Sequence, residues 1–187
     1  FIESCKKISY LFPRAHAVAY VMMAFRIAWF KVYHPLAFYA AYFSIRAKAF
    51  DLRIMTGDLK TQMTEFNRIK ALDRGASPKD KDLMSALEVS MEMYQRGYRF
   101  VNVDIQHSEA RRFSIKDGAL LPPFLAIDSL GETVADAIVA EREERPFTSL
   151  KDLQRRCKVS NTIIDLMKEL KCCGELPEDE QMSLFGA

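Results

Sequence analysis

Four cysteines occur in the sequence, and no two of them stand at Cys-x-x-Cys spacing. Cys172 and Cys173 are adjacent, which suits neither a usual disulfide nor a zinc knuckle, so these two, with Cys5 and Cys157, are expected to be buried or incidental thiols in a reducing compartment. Histidine is as sparse: His16, His34 and His107 are scattered, with no nucleophile paired to them. A two-metal phosphoryl-transfer site needs carboxylates converging on ions about 3.5–4 Å apart. The single Asp-x-Asp, Asp80-Lys81-Asp82, falls in the first turn of an expected helix, where residues two apart point away from each other. They read as favourable charges at a helix N-terminus, and no self-sufficient active site is expected.

Long apolar runs are also lacking. The longest candidate, AVAYVMMAFRIAWF over residues 17–30, is shorter than the ~20 residues a bilayer span needs. It holds Arg26 well inside, at about 2.5–3.5 kcal/mol in mid-bilayer, and Lys31, His34 and Pro35 close it. A buried core helix, rather than a membrane segment, is the expectation. No signal peptide is recognised. The chain starts at Phe1, directly before a well-patterned segment, which reads as part of a longer protein.

Acids are scarce at one end and bases at the other. Residues 1–50 hold seven Lys/Arg against the single acid Glu3, while the last thirteen residues hold four acids and no base. That asymmetry, hidden in a net charge of +2, suggests an anionic ligand at the first end and a different partner at the second. With 49% hydrophobic and 28% charged residues, the chain should fold around a real core, as one generous domain or two small ones.

The patterning expects a helix over 14–33 stopped before Pro35, a second over 36–50 packed on it, and a more polar third over 58–73. Ser77-Pro78-Lys79-Asp80 is a start signal, with Ser as N-cap, Pro at the first helical position and an acid in the first turn. Its helix places Leu83, Leu87, Met91 and Tyr94 on one face and closes at Gly97. Phe100, Val101, Val103 and Ile105 then form a β-prone run, and Phe113–Leu121 folds as a hairpin turning at Lys116-Asp117-Gly118. Helical period resumes at Val134, Ala135, Ile138 and Val139, followed by helices near 149–156 and 161–171 and an acidic tail from Glu175. The fold class expected is mainly α with one small β-hairpin.

Three constellations bear on function. In Phe124–Ala135 an apolar element, a turn Ile127-Asp128-Ser129-Leu130-Gly131 and an amphipathic helix resemble a helix-hairpin-helix motif. In that motif the turn and the first amides of the next helix hold a DNA phosphate without reading sequence. Ser129 stands where the first glycine is usual and must avoid positive φ or bear its strain, so phosphate binding and a purely structural turn both remain open. A more degenerate unit follows, Leu150–Arg156, turn Cys157–Ser160, then Asn161–Lys171, with Lys151, Arg155, Arg156 and Lys158 around it. At the N-terminus, Lys6, Lys7, Tyr10, Phe12, Arg14 and His16 interleave bases with aromatics, which suits a phosphate-and-base ligand. At the C-terminus, Gln181-Met182-Ser183-Leu184-Phe185 sets apolar residues after an acidic run, either to fold back onto the body of the chain or as bait for a partner.

In their order and spacing, FPRAHAVAY, VNVDIQHSEARRF, LLPPFLAIDSLGETVA, FTSLKDLQRR and QMSLF resemble the C-terminal end of the PolC-type α subunit of bacterial DNA polymerase III, over essentially the whole chain. The resemblance implies residues 1–97 as helical fingers, 98–125 as a β-hairpin connector, 126–174 as a tandem helix-hairpin-helix duplex-binding domain and 175–187 as a clamp-binding tail. Lys6, Lys7, Arg14 and His16 would face incoming deoxynucleotide or template; Ser129, Gly131, Thr133, Lys151, Arg155 and Lys158 would hold duplex DNA. Gln181, Met182, Leu184 and Phe185 would bind the sliding clamp, Met182 standing where Leu is common and Gly186 and Ala187 extending past the usual end. The nucleotidyltransferase palm, with its aspartates and Mg2+, would lie upstream, so this chain alone would be inactive and cofactor-free. The whole would be a cytoplasmic, nucleoid-associated bacterial enzyme without membrane contact. An alternative keeps the second half and the tail but makes the chain a non-catalytic DNA-binding adaptor of a repair complex.

Overall fold

The computed structural model describes Glu3 and residues 13–179. Lys6, Lys7, Gln181, Met182, Leu184 and Phe185 therefore lie outside the described residues. Within them the architecture is mainly helical, with eight α-helices and one two-stranded antiparallel hairpin. These are α1 (Arg14–Tyr33), α2 (Pro35–Ile45), α3 (Leu52–Met55), α4 (Leu59–Ala71), α5 (Pro78–Gln95), β1 (Ser114–Lys116), β2 (Ala119–Leu121), α6 (Glu132–Glu144), α7 (Leu150–Cys157) and α8 (Asn161–Glu169).

Local chemistry sets the boundaries. Asp58 caps α4 by accepting from the Thr61 amide, and Ser77 with Asp80 closes a reciprocal capping box at α5 beside Pro78. Asp80, one of the Asp-x-Asp pair, is thus a capping carboxylate that also meets Arg68. At the other end of α5, Gly97 takes φ 85° and the Tyr98 amide reaches back to the Met93 carbonyl, which satisfies two orphan carbonyls together with the Gly97 amide. The β-hairpin turns through Asp117 and Gly118 at φ 51° and 75°, the two positive angles of a turn that matches strand twist.

Two apolar clusters result. The first joins α2 to α5 and the hairpin around Tyr39, Met55, Leu87, Met93 and Phe100, with Phe43, Phe50, Phe100 and Phe113 stacked at centroid separations of 4.9–6.2 Å. Buried Gln62 is satisfied inside it, donating to the Met55 carbonyl at 3.1 Å and accepting from Ser90 Oγ at 2.6 Å. The second cluster gathers Val103, Ile105, Phe124, Ile138, Leu153 and Met167 beneath α6, α7 and α8. Each fully buried Leu or Phe contributes roughly 1.5–3 kcal/mol there.

Three expectations are corrected. The helix over 14–33 forms, but none of its residues is buried; Phe25 is 73% exposed and Tyr20 64%. Its apolar residues lie all round rather than on one stripe, and its packing against α2 leaves none of them buried. Its C-terminal end is tied down by Lys31 to Glu92 at 2.6 Å and by Arg96 donating to the Lys31 carbonyl. At 20 residues, about 30 Å, it is long and apolar enough to cross a membrane by length and composition, although Arg26 sits within it. The second helix stops at Ile45, where Arg46 and Ala47 both donate to the Tyr42 carbonyl and the chain leaves the helical path. The run 100–105 is not a strand: a single parallel bridge joins Phe100 to Leu120, after which Val103 and Ile105 turn into the second core.

Candidate nucleic-acid interface

Two turns of the same backbone plan stand 29 residues apart, from Ser129 to Lys158. In the first, the 3-10 turn Phe124–Ala126 leads through Ile127-Asp128-Ser129-Leu130-Gly131 into α6. In the second, α7 leads through Lys158-Val159-Ser160 into α8. Ser129 has φ 64° and Lys158 φ 57°, so each turn bends through one left-handed residue, and neither is glycine. Ser129 therefore does adopt the strained conformation, at a cost of about 1–2 kcal/mol. The next residues, Leu130 and Val159, are buried as pins. Gly131 and Ser160 follow as N-caps with nearly identical angles, φ/ψ −76°/155° and −71°/156°. The same displacement pairs buried Phe124 with Leu153, Ala135 with Ile164 and Ile138 with Met167. This is an internal repeat carried by burial and backbone angle rather than by residue identity.

Its chemistry follows from the helix starts. The first-turn amides of α6, on Glu132 and Thr133, and of α8, on Asn161 and Thr162, donate to no other described residue. All four residues are exposed. Amides so placed, at the positive end of a helix dipole, favour an anion.

The surroundings differ in sign. Asp128, Glu132 and Asp136 surround the first turn, and Arg111 is committed to two of them, 2.6 Å from Glu132 and paired with Asp136. These contacts hold the Asp136 carboxyl below the usual carboxylate range. Around the second turn Lys158 is exposed and makes no ion pair among the described residues. Lys151, Arg155 and Lys158, spaced i, i+4 and i+7, form one stripe along α7 that ends at this turn. Lys151 is paired with Asp179 and Arg155 lies 2.9 Å from Asp152.

Asp152 is the electrostatic centre beneath the stripe. Its side chain is fully buried and meets Arg155 at 2.9 Å, Arg156 at 3.2 Å and Arg145 at 3.3 Å, while the Thr148 amide donates to it. Burial pushes its carboxyl up, but the bonds from Arg155, the Thr148 amide and Arg156 outweigh that and hold it below the ordinary range. Ser149 caps α7 through the Asp152 amide. Ser149-x-x-Asp152 has the spacing of a capping motif, a readable signal that sequence reasoning passed over. Arg142 does similar work for the first turn, donating to the carbonyls of Ile105 and Ser108 and so fixing the loop under Phe124.

The remaining sequence candidates separate from this region. Arg14 and His16 are exposed at the start of α1, with His16 edge-on to Tyr20 at 4.5 Å. Cys157, Cys172 and Cys173 are buried free thiols, and burial pushes the first two up to about 11 and about 12. Among the described residues no group of three His, Cys, Asp or Glu could hold a metal ion.

Comparison with known proteins places this geometry. A helix-hairpin-helix motif matches residues 97–181. DNA polymerase III PolC-type of Caldanaerobacter subterraneus subsp. tengcongensis is 49% identical over 185 residues, and that of Streptococcus suis 50% identical over 188. That of Streptococcus pyogenes is 47% identical over 188 residues. Each alignment takes in 99% of this chain and 13% of the relative, so the chain spans about an eighth of the length of the curated relatives it matches. The chain is homologous along its whole length to a segment of DNA polymerase III PolC-type, and its C-terminal half carries the helix-hairpin-helix DNA-binding motif.

Proposed function

We propose that this chain is the C-terminal part of a bacterial replicative DNA-directed DNA polymerase, a cytoplasmic nucleotidyltransferase, and that it grips duplex DNA through phosphate. The observation that carries the reading is the pair of turns, each presenting first-turn amides at a helix start, in a chain homologous to PolC-type polymerase. Two such grips on one shared core touch the backbone and position the duplex without reading its sequence. Of the two, the second is the stronger, because Lys158 adds charge where the first turn presents Asp128 and Glu132.

The other roles are assigned by homology and sequence position. Residues to about 97 act as part of the fingers, with Arg14 and His16, and Lys6 and Lys7 in sequence, toward template and incoming nucleotide. The uncovered apolar surface of α1 packs on the remaining polymerase domains, a reading that full-length homology to a longer polymerase favours over a membrane. Gln181, Met182, Leu184 and Phe185 bind the sliding clamp. By homology, Mg2+ is assigned to the palm of the longer polymerase.

Titration of a short duplex, read by fluorescence anisotropy over a salt series, tests the reading. Affinity is expected to fall linearly on a log–log plot with salt and to be equal for unrelated base sequences. A response flat in salt, or a strong preference for one sequence, would remove phosphate gripping as the function.

A further inference from the structure

The acidic segment before the tail lies on the cationic stripe of α7. The amides of Leu150 and Lys151 donate to the carbonyls of Pro177 and Glu178, at 2.9 and 3.2 Å, and Leu176 packs against the second core. Lys151 pairs with Asp179, and Lys168, near the end of α8, pairs with Glu178 at 2.7 Å. Backbone carbonyls, carboxylates and an apolar anchor thus lay Pro177–Asp179 over the N-terminal end of α7. Its other end leads to Lys158 and the second turn.

We infer that Pro177–Asp179 is an electrostatic strap that mimics phosphate: it occupies the far end of the Lys151–Arg155–Lys158 stripe and is displaced when a duplex backbone lies along it. The scale suits this. Lys151 and the C-cap Lys158 lie seven positions apart across α7, about 10 Å, and a duplex carries one charge per ~1.7 Å of axis, so a duplex lying there offers phosphates at both ends of the stripe. Two carboxylates on exposed lysines are a weak latch, each pair worth little in water and screened by salt, and a polyanion can replace it. The strap regulates DNA affinity. It also couples duplex loading to release of the segment that precedes Gln181–Phe185 in sequence.

This inference rests on the duplex-gripping reading, and one experiment separates the two. Duplex affinity is measured for the whole chain, for Glu178→Gln with Asp179→Asn, and for Glu178→Gln alone, at low and high salt. Hydrogen exchange of the Leu150 and Lys151 amides is followed with and without duplex. The double variant is expected to bind about two- to tenfold more tightly at low salt, the single variant less so, with the gain vanishing at high salt. Duplex is expected to raise exchange at both amides. Unchanged affinity in the variants, with both amides still protected on the duplex, overturns the strap and leaves the grip standing. No binding by any of the three proteins overturns the grip and the strap together.

Discussion

The two hairpin turns share a backbone and differ in charge, and the difference separates what the fold requires from what a ligand requires. Both need a left-handed residue, a buried apolar pin and an N-cap, and Ser129-Leu130-Gly131 and Lys158-Val159-Ser160 each supply them. Around the second, Lys158 makes no ion pair among the described residues. Around the first, acids accumulate and Arg111 is spent neutralising them. Folding constrains the turns alike, while the surrounding charges are free to diverge, and the unequal roles proposed for the two turns follow that divergence.

The largest expected break in the comparison lies at Asp152, whose counterpart 29 residues earlier is the neutral Pro123. Asp152→Ala leaves Arg156, whose side chain is only 9% exposed, without one of its carboxylates. It is expected to destabilise the chain by about 3 kcal/mol, the lower part of the range for breaking a buried pair because Arg145 and Arg155 are more than half exposed. Chemical denaturation of both proteins checks this. The same group gives a pH dependence. Its folded carboxyl titrates below its unfolded value, so its contribution is complete above the ordinary carboxylate pKa of about 4 and is lost as pH falls through the lowered one. Stability of the parent should therefore drop more steeply below about pH 4 than that of the Asp152→Ala variant.

A smaller effect sharpens the comparison at the first turn. Ser129→Gly removes a left-handed strain and restores the glycine usual in this motif, and thermal denaturation should show a gain of up to about 1 kcal/mol, reduced by the greater freedom of glycine when unfolded. A loss of stability would mean that Ser129 contributes through its side chain.

Much of the fold was legible because its signals are local. Ser77-Pro78-Lys79-Asp80 states a helix start in four residues, and Lys116-Asp117-Gly118 states a hairpin turn in three; both stand as read. What failed depends on partners distant in sequence. The apolar run of α1 says that its surface needs a cover, not that the cover lies within the described chain. Val101 to Ile105 has the residues of a strand but no edge to pair with beyond Phe100. At the site, the first turn was readable from Leu130-Gly131 and the second as a more degenerate unit turning at Cys157–Ser160, whereas the left-handed residue and buried pin that the two share become visible only once φ and burial are known. Lys151 and Arg155 could be named as bases, but the engagement of Lys151 could not be read, since Asp179 reaches it only after the chain has folded back over α7.

The central claim, that the second turn holds the stronger phosphate grip, is tested most directly by the salt dependence of duplex binding in Lys158→Gln beside Asp128→Asn. Lys158→Gln is expected to weaken binding uniformly across base sequences and to reduce the log–log salt slope by about 1, the value of one lost phosphate contact, while Asp128→Asn leaves the slope unchanged. An unaltered slope and affinity in Lys158→Gln, in a protein that still binds duplex, would contradict it.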